Sequence, residues 1–172
     1  MEQVYLAVGD GSDVCARIDL LVRDYQTKLA RYVRRMVGDS EIALDLTQDV
    51  FLAAFRMLKE HPDRPLTAGW LYKTATNGAI SHLRRKKIVR MIPLDREHEM
   101  RSWRIDEQSA VSVDLQAAMH RLPAEQASAV LLTSYAGYSS QEAAAMLGTT
   151  ADAVRQRVCR AMKTLRSVMT ET

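Results

Sequence analysis

Arg155, Gln156, Arg157, Arg160 and Lys163 crowd into one short stretch near the C-terminus. In order before them stand a Ser139-x-x-Glu142 pair, Gly148 and Thr150. The chemistry open to these side chains is recognition, not catalysis. An arginine fork can pair bidentately with guanine and a glutamine with adenine, while the remaining cations neutralise phosphates. A second basic cluster occupies residues 84–90. Two separated clusters in a chain whose formal charge is only +3 point to two contacts with a polyanion rather than to one uniform field. Residue patterns for bond-making are missing. There is no Walker loop, dinucleotide glycine fingerprint or nucleophile elbow, and His61, His82, His98 and His120 are scattered without metal-ligand spacing. The expectation is a protein that is not an enzyme, with no cofactor, no metal and no small-molecule substrate.

The elements that must carry these residues read as helices throughout, so the expected fold is all-α. Ile18, Leu21, Val22, Tyr25, Leu29, Tyr32, Val33 and Met36 recur at helical spacing, and Gly38 stops that helix. Asp39 or Ser40 caps a second helix with Ile42, Leu46, Val50, Ala53, Ala54 and Met57 along one side. Leu44, Phe51, Phe55 and Leu58 widen its stripe, which implies packing on more than one neighbour. Pro62 and Pro65 make a stiff loop over residues 61–66. Thr67 caps a third helix running to about Lys87, with Leu71, Ala75, Ala79 and Leu83 inward. Trp70 and Tyr72 at its start are able to stack on bases, but core packing is the expectation for Trp70.

Periodicity then weakens over residues 88–112, which read as a flexible, mixed-charge linker. A second helical domain follows from Val113. Its first short helix stops at Pro123, and its next turns Ala127, Val130, Leu131 and Tyr135 inward before Gly137. The Ser139–Glu142 capping box opens a short helix ended by Gly148, and Thr150 caps the last helix. There Val154, Val158, Ala161, Met162 and Leu165 face inward, and Cys159 reads as a small core residue. Capped helix, glycine turn and capped basic helix in that order make a helix-turn-helix. For an isolated basic helix an ordinary solvated face is the better reading; the ordered combination favours DNA. Cys15 and Cys159 are far apart and lack zinc spacing, so neither a zinc site nor a structural disulfide is expected. The N-terminus carries no signal-peptide pattern and no apolar run is of spanning length. A cytoplasmic protein without membrane insertion follows.

Asp45-Leu46-Thr47-Gln48-Asp49-Val50-Phe51 places Asp45, Gln48 and Asp49 on one helical face. With Trp70-Leu71-Tyr72, Asn77 and Leu83-Arg84-Arg85, this segment resembles region two of bacterial RNA polymerase sigma factors of the extracytoplasmic-function (ECF) group. Leu122-Pro123, Gln141-Glu142, Leu147-Gly148 and Val154 with Arg157 resemble region four. Order and spacing over about Leu20 to Leu165 carry the resemblance. There are departures. Asp49 stands for a glutamate, Ile42 for an acidic residue, Ala143 for a larger aliphatic and Gln156 for a serine, and the residues before Ile18 have no counterpart.

The resemblance implies an alternative sigma factor, with an N-terminal extension (1–17), a region-two domain (18–88), a linker (89–112) and a region-four domain (113–172). It assigns Asp45, Gln48, Asp49 and Phe51 to docking on core RNA polymerase. Asn77, Ser81, Arg84, Arg85, Lys86 and Lys87, with the loop 61–66, are assigned to capturing and opening the minus-ten promoter element. Thr150, Ala153, Arg155, Gln156, Arg157, Arg160 and Lys163 are assigned to minus-thirty-five DNA. An anti-sigma factor is a further implied partner, since family members are usually held inactive by one. The residues alone also fit a repressor or activator with the same helix-turn-helix, which affinity for core polymerase would separate. They fit a protein-binding adaptor less well, because of the two basic clusters.

Overall fold

The structure, a computed structural model, describes residues 11–90, 115 and 117–170. All of its elements are helical. Helix α1 spans Gly11–Val37, α2 Ser40–Glu60 and α3 Ala68–Arg90. In the second half, α4 is Ala124–Val130, α5 Ser140–Leu147 and α6 Ala151–Thr170. Residues 117–120 are also helical.

Helix α1 buries Val14, Leu29, Tyr32, Val33 and Met36 along one face. It begins at Gly11, so residues 11–17 of the expected N-terminal extension are helical and continuous with α1; residues 1–10 lie outside the described part. Gly38 ends α1 at φ +79°, and its amide donates to the Arg34 carbonyl at 2.8 Å. Asp39 then caps α2, its carboxylate accepting from the amides of Glu41 (2.9 Å) and Ile42 (3.1 Å). The chain thus reverses within two residues, and α1 and α2 form a helical hairpin. Helix α3 packs on both, with Thr67 Oγ1 accepting from the Trp70 amide at 3.2 Å as its cap.

Alanines let these helices approach closely: Ala43, Ala54, Ala75 and Ala79 are all buried. The two buried threonines of these helices are paired. The Thr47 hydroxyl donates back to the Ala43 carbonyl, and that of Thr76 to the Tyr72 carbonyl, both at 2.7 Å. Having spent its one proton there, Thr76 Oγ1 accepts from the Tyr32 hydroxyl at 2.7 Å. Burial drives the Tyr32 pKa above its ordinary value despite that bond, so the phenol stays a donor.

Helix α4 passes directly into a wider π-type turn over Leu131–Tyr135. There the Ala136 amide reaches the Leu131 carbonyl at 2.8 Å, and the chain leaves through Gly137. Tyr135, expected inward, is exposed here. Its ring carries the Arg35 guanidinium 4.1 Å from the centroid.

That contact belongs to a larger surprise. The two helical domains share one core, which runs from Leu29 in α1 to Leu165 in α6. Tyr72 of α3 stands edge-on to Tyr32 (5.1 Å) and to Tyr138 (5.4 Å), forming a tyrosine ladder between the halves. Burial pushes the hydroxyls of Tyr72 and Tyr138 up to about 12. Arg84 of α3 pairs with Glu125 of α4 at 3.3 Å, and the His120 ring lies on Gly38. The expected linker falls outside the described residues, apart from the end of α3, which runs on to Arg90.

Candidate functional site

Three surfaces gather the residues singled out by sequence. The first is the C-terminal pair of helices. The Glu142 amide donates to Ser139 Oγ at 3.2 Å, while Glu142 Oε2 accepts from the Ser139 amide at 2.9 Å and from its hydroxyl at 2.7 Å. These bonds hold the Glu142 carboxyl below the usual carboxylate range and fix the start of α5. Gly148 at φ +63° makes the turn, a conformation costly for any residue with a Cβ. Thr150 Oγ1 accepts from the Ala153 amide at 3.2 Å and so begins α6.

Helix α6 is anchored by buried Val154, Ala161 and Leu165. Arg155, Gln156, Arg160 and Lys163 are exposed, whereas Ala153 and Arg157 are half-buried. Thr150 is exposed, but its hydroxyl is occupied as the cap. Two readings are corrected. Cys159 and Met162 point outward instead of into the core, because the buried arc of α6 is narrower than its apolar stripe. Asp152 pairs with Arg155 one turn on. An exposed pair of this kind contributes only about 0.3–0.5 kcal/mol, so it orients the guanidinium without withholding it from a base.

The second surface is the outer face of α3. Asn77, Ser81 and Arg84 are spaced by four and three residues, are all exposed, and so lie in one row. Arg85 flanks the row, and Lys87 extends the helix. Lys73, also exposed, joins the row one turn earlier; its wide separation from the basic cluster hid it. Lys86 does not join. It lies about half a turn round from Asn77, and its charge is felt by His82 and His120, whose pKa values are lowered by burial first and by Lys86 next. Tyr72 is buried and Trp70 packs against the core, so neither is a stacking platform. The loop before α3 is a tight turn, closed by the Arg64 amide on the His61 carbonyl at 3.1 Å. The Arg17 guanidinium donates to the Pro62 carbonyl at 2.5 Å and to that of Arg64 at 3.2 Å.

The third surface lies on α2. Asp45, Gln48 and Asp49 are exposed, as expected. Phe51 is not with them: it is 8% exposed and belongs to the core. It sits at the border of the buried arc, and the apolar groups beyond that border are Leu44 (49% exposed), Leu52 (51%) and Phe55 (36%). Sequence reading missed Leu52 and counted Leu44 and Phe55 as widening a stripe expected to pack on more than one neighbour. The usable signal was a stripe wider than any single contact could cover. Among the described residues no helix is long and apolar enough to cross a membrane.

Comparison with known proteins covers both halves. Residues 21–88 match the family model for sigma-70 region 2, and residues 112–165 that for sigma-70 region 4. The ECF RNA polymerase sigma factor SigE of Mycolicibacterium smegmatis is 33% identical over 158 residues, covering 88% of this chain and 61% of that protein. The chain therefore spans about three fifths of that relative's length. The ECF sigma factor SigM of Mycobacterium tuberculosis is 32% identical over 143 residues, 83% of this chain and 72% of the relative. Among solved structures, the sigma factor RpoE of Bartonella quintana, in complex with the anti-sigma factor NepR, superposes with a TM-score of 0.66 at 22% identity. It covers 92% of this chain and 98% of its own. CnrH in complex with the cytosolic domain of CnrY gives 0.64 at 22% identity, covering 93% and 94%. At such identity the structural matches speak for the fold.

Proposed function

The chain belongs to the ECF group of the sigma-70 family, and from that premise we propose that it binds core RNA polymerase, directs it to a set of promoters and opens the DNA there. The observation that carries this reading is the outer face of α2. A helix-turn-helix alone would serve a repressor equally well. An exposed row of Leu44, Leu52 and Phe55 beside Asp45, Gln48 and Asp49 has no use in a repressor's DNA contact. It fits a protein partner that offers apolar contact and positive charge.

In this reading residues 18–88 dock on polymerase and hold the minus-ten element, 89–112 connect, and 113–172 hold the minus-thirty-five element. Asn77, Ser81, Arg84 and Arg85, with Lys73, face the opened strand. Arg84 is already paired with Glu125, but an exposed pair is worth about 0–1 kcal/mol, so a phosphate competes with it readily. The work takes place in the cytoplasm, where the polymerase and the chromosome are. An anti-sigma protein is a further proposed partner, as NepR is for RpoE.

Transcription in vitro with purified core polymerase on a library of randomised promoters tests the function. Initiation confined to a subset of sequences is the expected result. Transcription that is equal with and without the protein would end the proposal. On the same library, Arg155→Ala or Gln156→Ala is expected to relax preference at the upstream element by about 1–3 kcal/mol per lost base contact. A uniform loss over all sequences would show that these residues touch phosphate only.

A further inference from the structure

Arg17 lies in the part of the chain for which sequence comparison with the family gave no role. It sits on the inward-facing side of α1, one turn beyond Val14, which is 8% exposed and anchors the first turns of the helix. From there its guanidinium reaches 45 and 47 residues along the chain, to the carbonyls of Pro62 and Arg64. Pro62 and Pro65 carry no amide hydrogen, and within the turn the Arg64 amide donates to the His61 carbonyl. A planar fork gripping two carbonyls of one turn fixes its tilt as well as its place. With those carbonyls held toward α1, His61, Asp63 and Arg64 are left exposed.

We propose that Arg17 is a positioning residue for promoter opening: it holds the loop 61–66 in the shape that receives the extruded minus-ten base. The inference rests on the proposed role of the loop and of α3 in reading that element. Extruding a base costs a few kcal/mol of unstacking, which a preset pocket must recover. A loop free to tilt recovers less of it and distinguishes bases less sharply. The prolines keep the turn stiff, and Arg17 sets where it points.

The test uses holoenzyme assembled from core polymerase and full-length protein, with duplex promoters randomised across the minus-ten element and selected by the wild type. Arg17→Ala is expected to lower discrimination between selected and single-base-altered sequences about tenfold, the size of one lost charge-assisted hydrogen bond. Polymerase affinity should stay unchanged. Arg17→Lys, which keeps the charge but not the fork, should restore only part of the discrimination. A general loss of folding would lower binding to every promoter alike and to polymerase as well, and that outcome overturns the proposal. Asn77→Ala on α3 separates the two levels of inference. If Asn77→Ala alters base preference and Arg17→Ala does not, Arg17 has no positioning role. If neither alters it, the reading of this whole face falls, and the role of Arg17 with it.

Discussion

Alanine at Phe51 is expected to unfold the protein more easily, whereas alanine at Phe55 is expected to leave it folded and deprive it of polymerase. The two rings are one helical turn apart on α2 and chemically identical. Phe51 is 8% exposed and Phe55 36%. Truncating a buried phenylalanine costs about 3–5 kcal/mol in lost transfer energy and cavity. Phe51 lies at the margin of the core, so the lower end of that range applies. Phe55→Ala should change stability by no more than about 1 kcal/mol, while an aromatic anchor lost from an interface costs about 2 kcal/mol of affinity. Urea denaturation and titration with core polymerase measure the two quantities separately. Asp45→Ala with Gln48→Ala should behave like Phe55→Ala, with weaker docking and intact helix content. If Phe51→Ala stays as stable as the wild type and loses only polymerase binding, Phe51 is the anchor after all and the docking face must be redrawn.

Gly38 carries the second large effect. Its φ of +79° lies in the left-handed region, and a Cβ built there would stand 2.5 Å from Cε1 and Nε2 of His120. Left-handed backbone costs a residue with a Cβ about 1–2 kcal/mol, and the collision adds to it unless the imidazole moves away. Gly38→Ala should therefore destabilise by about 2 kcal/mol or more. Adding His120→Ala should return the collision part and leave the backbone part. A double-mutant cycle from urea curves reads the split. Strict additivity would mean that ring and glycine do not meet in solution.

The same contact has a pH signature. Burial against the protein, then the nearby Lys86, lower the His120 pKa, and His82 is lowered by the same causes with Arg85 adding. The folded state thus prefers both imidazoles neutral. Their contribution is complete above the unfolded value of about 6.5 and is lost progressively as pH falls below it. Thermal melts across that window should show stability dropping on acidification, with a shallower slope for His120→Gln.

The sequence by itself determined the helix caps and the glycine turn, which close within a few residues. Thr67 caps its helix as read, Asp39 is the cap of the two candidates for α2, the Ser139–Glu142 box has both of its bonds, and Gly148 takes the left-handed turn before Thr150 starts α6. Such bonds depend on neighbours three or four places away, so spacing reveals them. Family membership came from the same order of local motifs.

Only the tertiary structure decided which side of a wide apolar stripe is covered. Phe51 went inward, while Leu52 and Phe55 stayed out on α2, and Cys159 and Met162 stayed out on α6. Periodicity gives the direction of a stripe but not the width of the neighbour that meets it. The tyrosine ladder from Tyr32 through Tyr72 to Tyr138, the Arg84–Glu125 pair and the grip of Arg17 on its loop were equally hidden. Each joins residues more than 35 positions apart, and no local pattern records where a distant side chain will arrive. The chain wrote its helices, their caps and its family into short-range spacing. Which faces remained free to meet polymerase and DNA was settled by how those helices packed on one another.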